Sequence, residues 1–215
     1  MVLMTEHESK KMFSSYGLNV TRESVAKDRH EASVYAGRIG YPVVMKVISP
    51  DIVHKTDSGG VVLNIHDSDD ALKAYDLIMK NVSKSNPDAK IEGVLVLEQV
   101  SGHELIIGSK IDPQFGPVIM VGIGGIFVEV LKDVAFRVIP ITEKDAGEML
   151  HELKSFSVLE GVRGQTKANV SKIKKALVSV SKLVKDNPDI QELDINPLMV
   201  DSKRAVVADA RIIVG

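Results

Sequence analysis

The chain contains no cysteine among its 215 residues. This absence excludes disulfides, thiolate zinc sites and cysteine nucleophiles, and it fits a protein of a reducing compartment. No apolar run approaches the length needed to span a bilayer, and the N-terminal sequence MVLMTEHESKKMF becomes charged within six residues. We therefore expect a soluble, cytoplasmic protein that does not associate with a membrane.

A strong charge of one sign is also lacking, since 27 basic and 29 acidic residues leave a net charge of −2. The bulk basicity that attracts nucleic acid is absent, so we expect no nucleic-acid partner. The sequence shows no internal repeat and no low-complexity tract. With 44% hydrophobic residues, the chain is long enough for one domain or two tightly joined lobes.

Helix and strand signals alternate along the chain, which is typical of an α/β fold. A capping box of Thr5 and Glu8 predicts the start of a first helix. Helices and β-branched runs then follow one another through both halves of the sequence. We expect two α/β lobes, residues 1–98 and 99–215, and we leave open whether the N-terminal helix packs on the second lobe.

A polar loop with several functional candidates lies between two short β-branched runs, Val43–Val47 and Val61–Ile65. Lys46 lies inside the apolar first run, where an unpaired ammonium is costly, so we expect it to meet an anion. Gly59 and Gly60 offer backbone amides without Cβ obstruction, the geometry that lets a chain approach phosphate closely.

His54 lies in the same loop and is followed by Lys55. A lone loop histidine is usually only solvated. A phosphoryl group on or beside this one would find a cation and the amide donors of the glycine pair. From spacing alone, a catalytic and a purely solvated His54 both stay open.

A second group of candidates follows a β-rich run that ends in Glu98, Gln99 and Val100, with Glu104 shortly after. An acid there could take a ribose hydroxyl or an adenine amino group, or it could be a strand-end charge in water. The segment 122–137, GIGGIFVEVLKDVAFR, permits close backbone approach, but it is weak evidence for a dinucleotide fold. A buried turn is the alternative there.

The last candidates lie on two closing strands, 190–195 and 205–213, joined by a turn at 201–204. If the strands pair as a hairpin, Asn196 and Asp209 lie near each other across the ladder and supply two oxygen ligands. Hard oxygens suit Mg²⁺, which normally keeps water and substrate phosphates as its other ligands. The alternative is a hairpin with polar outward positions, and the pattern leaves the two comparable.

Taken together, these motifs resemble one family. The strings SPDIVHKTDSGGV, LEQVSGHELIIG, DPQFGPVIMVGIGGIFVEVLKDVAFRVIPIT, ELDINPLMV and VVADARI, in this order, closely resemble the β subunit of ADP-forming acetate–CoA ligase. That family is related to the β subunit of succinyl-CoA synthetase. The resemblance covers nearly the whole chain, and it implies an ATP-grasp fold in which two α/β lobes enclose a nucleotide cleft.

The resemblance implies roles for the residues of the first loop. Lys46 matches the lysine that binds nucleotide phosphate, and Gly59 and Gly60 belong to the loop over the phosphates. His54 matches the second histidine of the family's phosphate relay. That histidine receives phosphoryl from a phosphohistidine on the partner subunit and passes it to ADP.

The resemblance implies roles for the other candidates too. Glu98 and Val100 match the hinge that holds adenine, and Glu104 matches the acid that holds ribose. Asn196 and Asp209 match the metal-binding pair. The bound groups would therefore be ATP or ADP and Mg²⁺. No role follows for Asp194, Glu129 or Asp133.

The activity implied by the resemblance is that of an acid–thiol ligase, acyl-CoA + ADP + phosphate = carboxylate + ATP + CoA. The sequence has no Rossmann-type CoA-binding domain, so we expect a CoA-binding α subunit, as in the family's α2β2 heterotetramer. Two alternatives stay open. A standalone ATP-grasp carboxylate ligase would need no partner and no histidine, and a non-catalytic nucleotide-sensing module would turn nothing over. His54 is the residue that discriminates them.

Overall fold

The structure is a computed structural model that describes residues 1–52, 55–125, 128, 130–162 and 166–215. The chain forms two compact units. The small unit is Thr21–Gln99, and the large unit is Met1–Val20 together with Val100–Gly215. The boundary near residue 99 lies one residue from the expected division at 98/99. The N-terminal segment, for which the packing was left open, belongs to the large unit.

In the described residues the strands are β1 (Val2–Leu3), β2 (Asn19–Val20), β3 (Glu23–Ala26), β4 (Val43–Ile48), β5 (Val61–Ile65), β6 (Gly93–Glu98), β7 (His103–Asp112), β8 (Gly116–Ile123), β9 (Val134–Val138), β10 (Ile190–Val200), β11 (Ala205–Val207) and β12 (Ala210–Val214). The helices are α1 (Glu6–Ser15), α2 (Arg29–Ile39), α3 (Ser68–Ser85), α4 (Glu143–Glu152) and α5 (Val170–Asp186), with a 3₁₀ helix at Phe156–Glu160.

The sheet of the small unit is antiparallel, in the order β3-β6-β4-β5. All residues of β4 and β6 are buried, which is why both strands are apolar except for Lys46 and Glu98. Successive side chains point to opposite faces. One face packs on α2 and α3, and the other carries a separate apolar cluster that includes Val44, Ile48, Leu95 and Leu97.

The helices of the small unit begin and end at residues with clear local chemistry. The side chain of Asp28 accepts a hydrogen bond from the Glu31 amide and starts α2, and Asp67 starts α3 in the same way. Gly40 ends α2 with a φ of 94°, a conformation that favours glycine. The buried side chains of α3 recur with helical spacing and face the sheet: Ala71, Ala74, Tyr75, Ile78 and Val82.

The large unit contains an eight-stranded sheet in the order β1-β12-β10-β7-β8-β9, with β11 added to β10 and β2 added to β11. Its strands are antiparallel except for the parallel pair of β2 and β11. The core of this unit joins the sheet to α1, α4 and α5. The long central strand β10 contacts β7, β11 and β12, and it carries the candidate metal ligands.

Several sequence predictions are confirmed at the level of single elements. The capping box of Thr5 and Glu8 starts α1, and a turn at 201–204 joins β10 to β11. The expected strand 205–213 is wrong as one continuous strand. It divides into β11 and β12, which pair with different stretches of β10. Asp209 lies at the division, and this position brings it to the edge of the candidate site.

None of the described helices combines the length and the apolar character needed to cross a membrane.

Candidate functional site

Lys46 lies in the middle of β4 and is 9% exposed. Its strand neighbours are Val61 of β5 and Leu95 of β6. By the alternation of β4, it shares the face of Val44 and Ile48, so its methylene chain lies along an apolar surface. Lys46 is thus a buried lysine in an apolar strand, and its role as a phosphate-binding cation stays a prediction.

The loop that follows β4 is held in place by its own backbone. The Gly59 amide donates to the Thr56 carbonyl over 3.0 Å, and the Gly60 amide donates to the Lys55 carbonyl over 2.7 Å. In this conformation both amides are engaged within the loop, whereas the sequence led us to expect them as phosphate donors. Their availability to a phosphate therefore depends on the loop opening these turns.

Both glycines also have a steric requirement. A Cβ on Gly60 would lie 2.6 Å from Cγ1 of Val47, and a Cβ on Gly59 would lie 2.7 Å from Nδ2 of Asn81. Gly59 has a φ of 64°, which a residue with a side chain adopts at a cost. The glycine pair is thus explained by close packing as well as by the proposed phosphate contact. His54 and its neighbour Val53 lie outside the described residues.

Glu98 ends β6, and its buried carboxylate is bonded by Arg22. The backbone amide of Arg22 donates to Oε1 over 3.1 Å, and its guanidinium donates to Oε2 from Nε over 3.2 Å and from Nη2 over 3.1 Å. Sequence analysis did not predict this role for Arg22. A cation just before one strand and an acid at the end of another carry no signal until the two strands are known to pair.

Glu104 belongs to β7 in the large unit, where it is exposed and lies opposite Met199 of β10. Its carbonyl accepts a hydrogen bond from the Gly124 amide over 2.7 Å, and a Cβ on Gly124 would lie 3.0 Å from Cβ of Glu104. Gly124 therefore leaves room for the Glu104 side chain. Val100, the first residue of this part of the large unit, is half-buried.

Asn196 and Asp209 lie next to each other in the large unit. The Asn196 amide donates to the Asp209 carbonyl over 3.2 Å, and the Ala208 amide donates to the Pro197 carbonyl over 3.0 Å. The register of β10 against β7 shifts between Ile195 and Leu198. Such a bulge re-aims side chains and is frequent beside functional sites. The exposed Asn196 and the half-buried Asp209 thus lie at one edge of the sheet, where Oδ1 of Asp209 accepts the Ala210 amide over 2.8 Å.

The surroundings of this pair are rich in negative charge. Burial raises the pKa of the nearby Asp194 above its ordinary value, Arg211 opposes this, and the carboxylates of Glu192 and Asp209 add to it. The described residues hold no group of three or more His, Asp or Glu side chains placed to bind a metal. A metal at Asn196 and Asp209 would therefore take its remaining ligands from water and from a bound phosphate, which is the usual arrangement for Mg²⁺.

The segment 122–137 has a structural role in those of its residues that the structure describes. Asp133 is buried and accepts hydrogen bonds from the Lys154 amide over 3.0 Å, from the Ser155 amide over 2.8 Å and from the Ser155 hydroxyl. Arg137 forms an ion pair with Glu152 of α4. Both side chains hold the C-terminal end of α4 and the residues that follow it. Glu129 lies outside the described residues.

The structure thus groups the candidates by unit. Lys46 adjoins the glycine loop, because the Val47 amide donates to the Gly60 carbonyl over 2.8 Å. Asn196 and Asp209 form the second group, in the large unit.

Comparison with known proteins gives these groups a context. The model of the ATP-grasp domain family matches residues 2–214. The β subunit of ADP-forming acetate–CoA ligase II from Pyrococcus furiosus is 50% identical over 214 residues, which are 98% of this chain and 91% of the relative. ADP-forming acetate–CoA ligase I from Archaeoglobus fulgidus is 47% identical over 97% of this chain, which corresponds to 30% of that longer protein.

Solved structures also resemble this chain. One is acetyl-coenzyme A synthetase 1 of Candidatus Korarchaeum cryptofilum in complex with coenzyme A, Ca-AMPCP and HgCl+. It is 45% identical, with a TM-score of 0.97 over 100% of this chain and 94% of the other. A second structure of that enzyme, with a phosphorylated phosphohistidine segment, is 43% identical, with a TM-score of 0.92 over 100% and 94%. The chain therefore belongs to the ATP-grasp family and, within it, to the β subunits of ADP-forming acetate–CoA ligases.

Proposed function

We propose that this chain is the nucleotide-binding half of an ADP-forming acyl-CoA synthetase, which forms ATP and a free carboxylate from acyl-CoA, ADP and phosphate. The observation that carries the proposal is the pairing of Asn196 with Asp209 at the bulge of β10, through a backbone hydrogen bond of 3.2 Å. The family assignment supports the same reading, since the relatives are named as ligases of this class.

Two groups of residues would act on the phosphates of the nucleotide. The ammonium of Lys46 would neutralise phosphate charge. Asn196 and Asp209 fit Mg²⁺, because both are hard oxygen ligands beside further negative charge. A bound Mg²⁺ would lower the barrier by offsetting the negative charge that develops as phosphoryl is transferred.

The sugar and base would be held by the chain around β6 and β7. The exposed carboxylate of Glu104 is a hydrogen-bond acceptor for ribose hydroxyls, and Gly124 supports its backbone. Glu98 and Val100 would contact the base. Gly59 and Gly60 would cover the phosphates once their present turns open, and such loop movement is common in enzymes that transfer groups between sites.

His54 would carry the phosphoryl group. In the direction of ATP formation, a phosphoryl group passes from the partner's phosphohistidine to the imidazole of His54. The P–N bond at His54 then breaks as a P–O bond forms to the β-phosphate of ADP. The imidazole is free of phosphoryl at the start and the end of the cycle, and the total number of phosphoryl groups is conserved.

The other half of the reaction would take place on a CoA-binding α subunit, in an α2β2 heterotetramer. Relatives in which the matching region is 30% of one longer chain support the need for further parts. We therefore expect the subunit to show ligase activity only together with that partner.

Reconstitution tests the proposal. The chain would be purified with a CoA-binding partner from the same organism, and ATP formation would be measured from acetyl-CoA, ADP and phosphate with Mg²⁺. We expect activity from the complex and none from either subunit alone. ATP formation by the chain alone, or nucleotide binding without any turnover by the complex, would overturn the proposal in favour of a standalone ligase or a nucleotide sensor.

A further inference from the structure

Glu98 is the last residue of β6, and Gln99 follows it. Together they form hydrogen bonds with residues in or beside all three other strands of the small-unit sheet. On the side of β3, the Glu98 amide donates to the Arg22 carbonyl over 2.9 Å, and the Glu98 carboxylate accepts the three hydrogen bonds from Arg22 described above. The side chain of Glu98 is 7% exposed, whereas that of Arg22 is 65% exposed. Arg22 thus neutralises a buried acid from the surface.

Gln99 is held from the opposite side. Its amide donates to the Pro42 carbonyl, just before β4, over 3.1 Å. Its side chain reaches β5. There Nε2 of Gln99 donates to the side-chain Oδ1 of Asn64 over 2.7 Å, and Oε1 of Gln99 accepts a hydrogen bond from the backbone amide of Asn64 over 2.8 Å. This two-way bond fixes the Gln99 side chain at both of its polar atoms.

Asn64 can make that bond because of its unusual backbone. It has a φ of 57°, the left-handed region that asparagine tolerates better than most residues with a side chain. The register of β4 against β5 runs from Val43 opposite Ile65 to Met45 opposite Val62, so β5 has one extra residue there. The bulge turns the amide and side chain of Asn64 toward Gln99.

The ion pair of Arg22 and Glu98 differs from an ordinary surface ion pair, because the Glu98 side chain is buried. Arg29 and Asp76 in the same unit lie 3.1 Å apart with side chains that are 55% and 52% exposed, and such pairs contribute little. Removal of the Arg22 guanidinium, in contrast, would take a cation and two hydrogen bonds from a buried carboxylate, which is costly. A shift of Glu98 in response would move the backbone at the end of β6.

We propose that Arg22 and Asn64 are positioning residues for nucleotide recognition, and that they fix the backbone of Glu98 and Gln99 in the conformation that discriminates the base. This inference rests on the proposed function, in which Glu98 and Val100 contact the base. Neither Arg22 nor Asn64 touches the nucleotide in this scheme. They act indirectly. Arg22 holds Glu98 and Asn64 holds Gln99, and these two residues set the direction of the backbone that contacts the base.

Calorimetric titration of the full chain with ADP and with UDP, both with Mg²⁺, tests the inference. Both ligands carry the same phosphates and ribose, so the ratio of their dissociation constants reports on the base alone. In Arg22→Met we expect ADP binding to weaken about tenfold, in line with the loss of a charged hydrogen-bond partner, and the preference for ADP over UDP to fall toward one. Arg22→Lys should restore part of the preference, because it keeps the charge but not the paired geometry.

Asn64→Gly gives an independent arm. Glycine accepts the positive φ but lacks the side-chain oxygen, so we expect a smaller loss of the preference without backbone strain. Asn64→Asp, which keeps an acceptor for Nε2 of Gln99, should retain the preference for ADP over UDP. Arg29→Met is the matched control, since it breaks an exposed ion pair of the same unit.

The outcomes separate the two claims. If the wild-type chain binds neither nucleotide, the proposed function fails and the inference fails with it. If the wild-type chain prefers ADP and Arg22→Met keeps the same preference, the inference alone is overturned. A lower unfolding temperature with equal losses for ADP and UDP would show that Arg22 stabilises the fold without positioning the base-binding segment. If Arg22→Met does not fold, Arg22→Lys and Asn64→Gly still test the inference. An unchanged preference for ADP over UDP in both of these variants would overturn it.

Discussion

The side-chain amide of Asn81 donates a hydrogen bond to the carbonyl of Gly59 over 3.3 Å. This bond fastens the proposed phosphate loop to α3, which is a rigid element of the small unit. The loop is thus tied at its glycine pair to a helix, while its own turns occupy both glycine amides. Any motion of the loop toward a nucleotide would start by breaking or stretching these bonds.

Replacement of Asn81 tests whether this attachment sets the position of the loop. In Asn81→Leu, which removes the donor at similar volume, we expect the KM for ADP to change about fivefold, as for the loss of one neutral hydrogen bond. The measurement is steady-state ATP formation by the reconstituted complex. Lys80→Ala, an exposed change on the same helix, is the control. An unaltered KM in Asn81→Leu would show that the attachment is irrelevant to nucleotide binding.

Replacement of Lys46 tests the phosphate contact. Lys46→Met keeps the methylene chain that packs beside Val44 and Ile48 but removes the charge. We expect ATP binding to weaken at least about tenfold, because a charged phosphate partner is lost. Calorimetry with ATP and Mg²⁺ measures this. The exposed Lys73→Met of α3 should bind as the wild type does, and equal affinity in both variants would refute the phosphate role of Lys46.

The metal site is tested by two substitutions that spare the fold. Asn196→Ala removes one oxygen ligand. Asp209→Asn removes the charge but keeps an oxygen that can accept the Ala210 amide, as Oδ1 now does over 2.8 Å. We expect both variants to need more Mg²⁺ for half-maximal activity, since a site with two protein ligands depends on each of them. Titration curves that coincide with those of the wild type and of the exposed variant Asp189→Asn would leave this edge without a metal role.

Phosphorylation of His54 is the most direct test of the relay. We expect an acid-labile, base-stable label on this chain when the complex is given ATP labelled at the γ-phosphate and Mg²⁺. The label should vanish in His54→Ala, together with ATP synthesis, while nucleotide binding persists. The exposed His66→Ala should keep both label and activity. Near-normal turnover in His54→Ala would reduce His54 to a loop residue and favour a standalone ligase.

Asp133 predicts a stability that depends on pH. Burial alone would raise the pKa of Asp133, but the hydrogen bonds from Ser155 and Lys154 lower it below its ordinary value. A lowered folded-state pKa stabilises the fold above the unfolded value of about 3.9 and loses this contribution as the pH falls through the folded value. We expect Asp133→Asn to lower the free energy of unfolding by about 1–3 kcal/mol at pH 7.

The same difference should begin to shrink as the pH is lowered below about 4, because the Asp133 carboxyl of the unfolded chain is protonated there before that of the folded protein. Urea unfolding of both proteins between pH 7 and pH 3.5 measures it, with the exposed Asp88→Asn as the control. A difference that stays constant over this range would show that the charge of Asp133 is unimportant and that only its shape matters.

Local chemistry made part of this fold predictable from sequence. The Thr5 and Glu8 side chains complete their capping box within one turn of helix, so the signal and the structure occupy the same four residues. The turn after β10 is equally local, because Asp201 accepts the amides of Lys203 and Arg204. The α/β class follows from many such signals added together.

Non-local pairing made the rest unpredictable. The bond between Arg22 and Glu98 joins residues 76 apart in sequence, and it depends on a register of β3 against β6 that no local pattern specifies. The division of the last strand at Asp209 has the same origin, since it follows from how β11 and β12 share β10. The role of Gly60 was read as access for phosphate, whereas contact with Val47 is visible only once β4 and the loop are packed.

The first strand of the chain pairs with the last, because Val2 lies opposite Val214 and Leu3 opposite Ile213. During synthesis on the ribosome, the small unit, Thr21–Gln99, is complete long before this partner strand exists. Domains generally fold as units as they are made. The N-terminal segment with α1 therefore has to wait, without its final sheet partner, until β12 has been synthesised. Closure of the large unit therefore comes after the small unit in the order of synthesis.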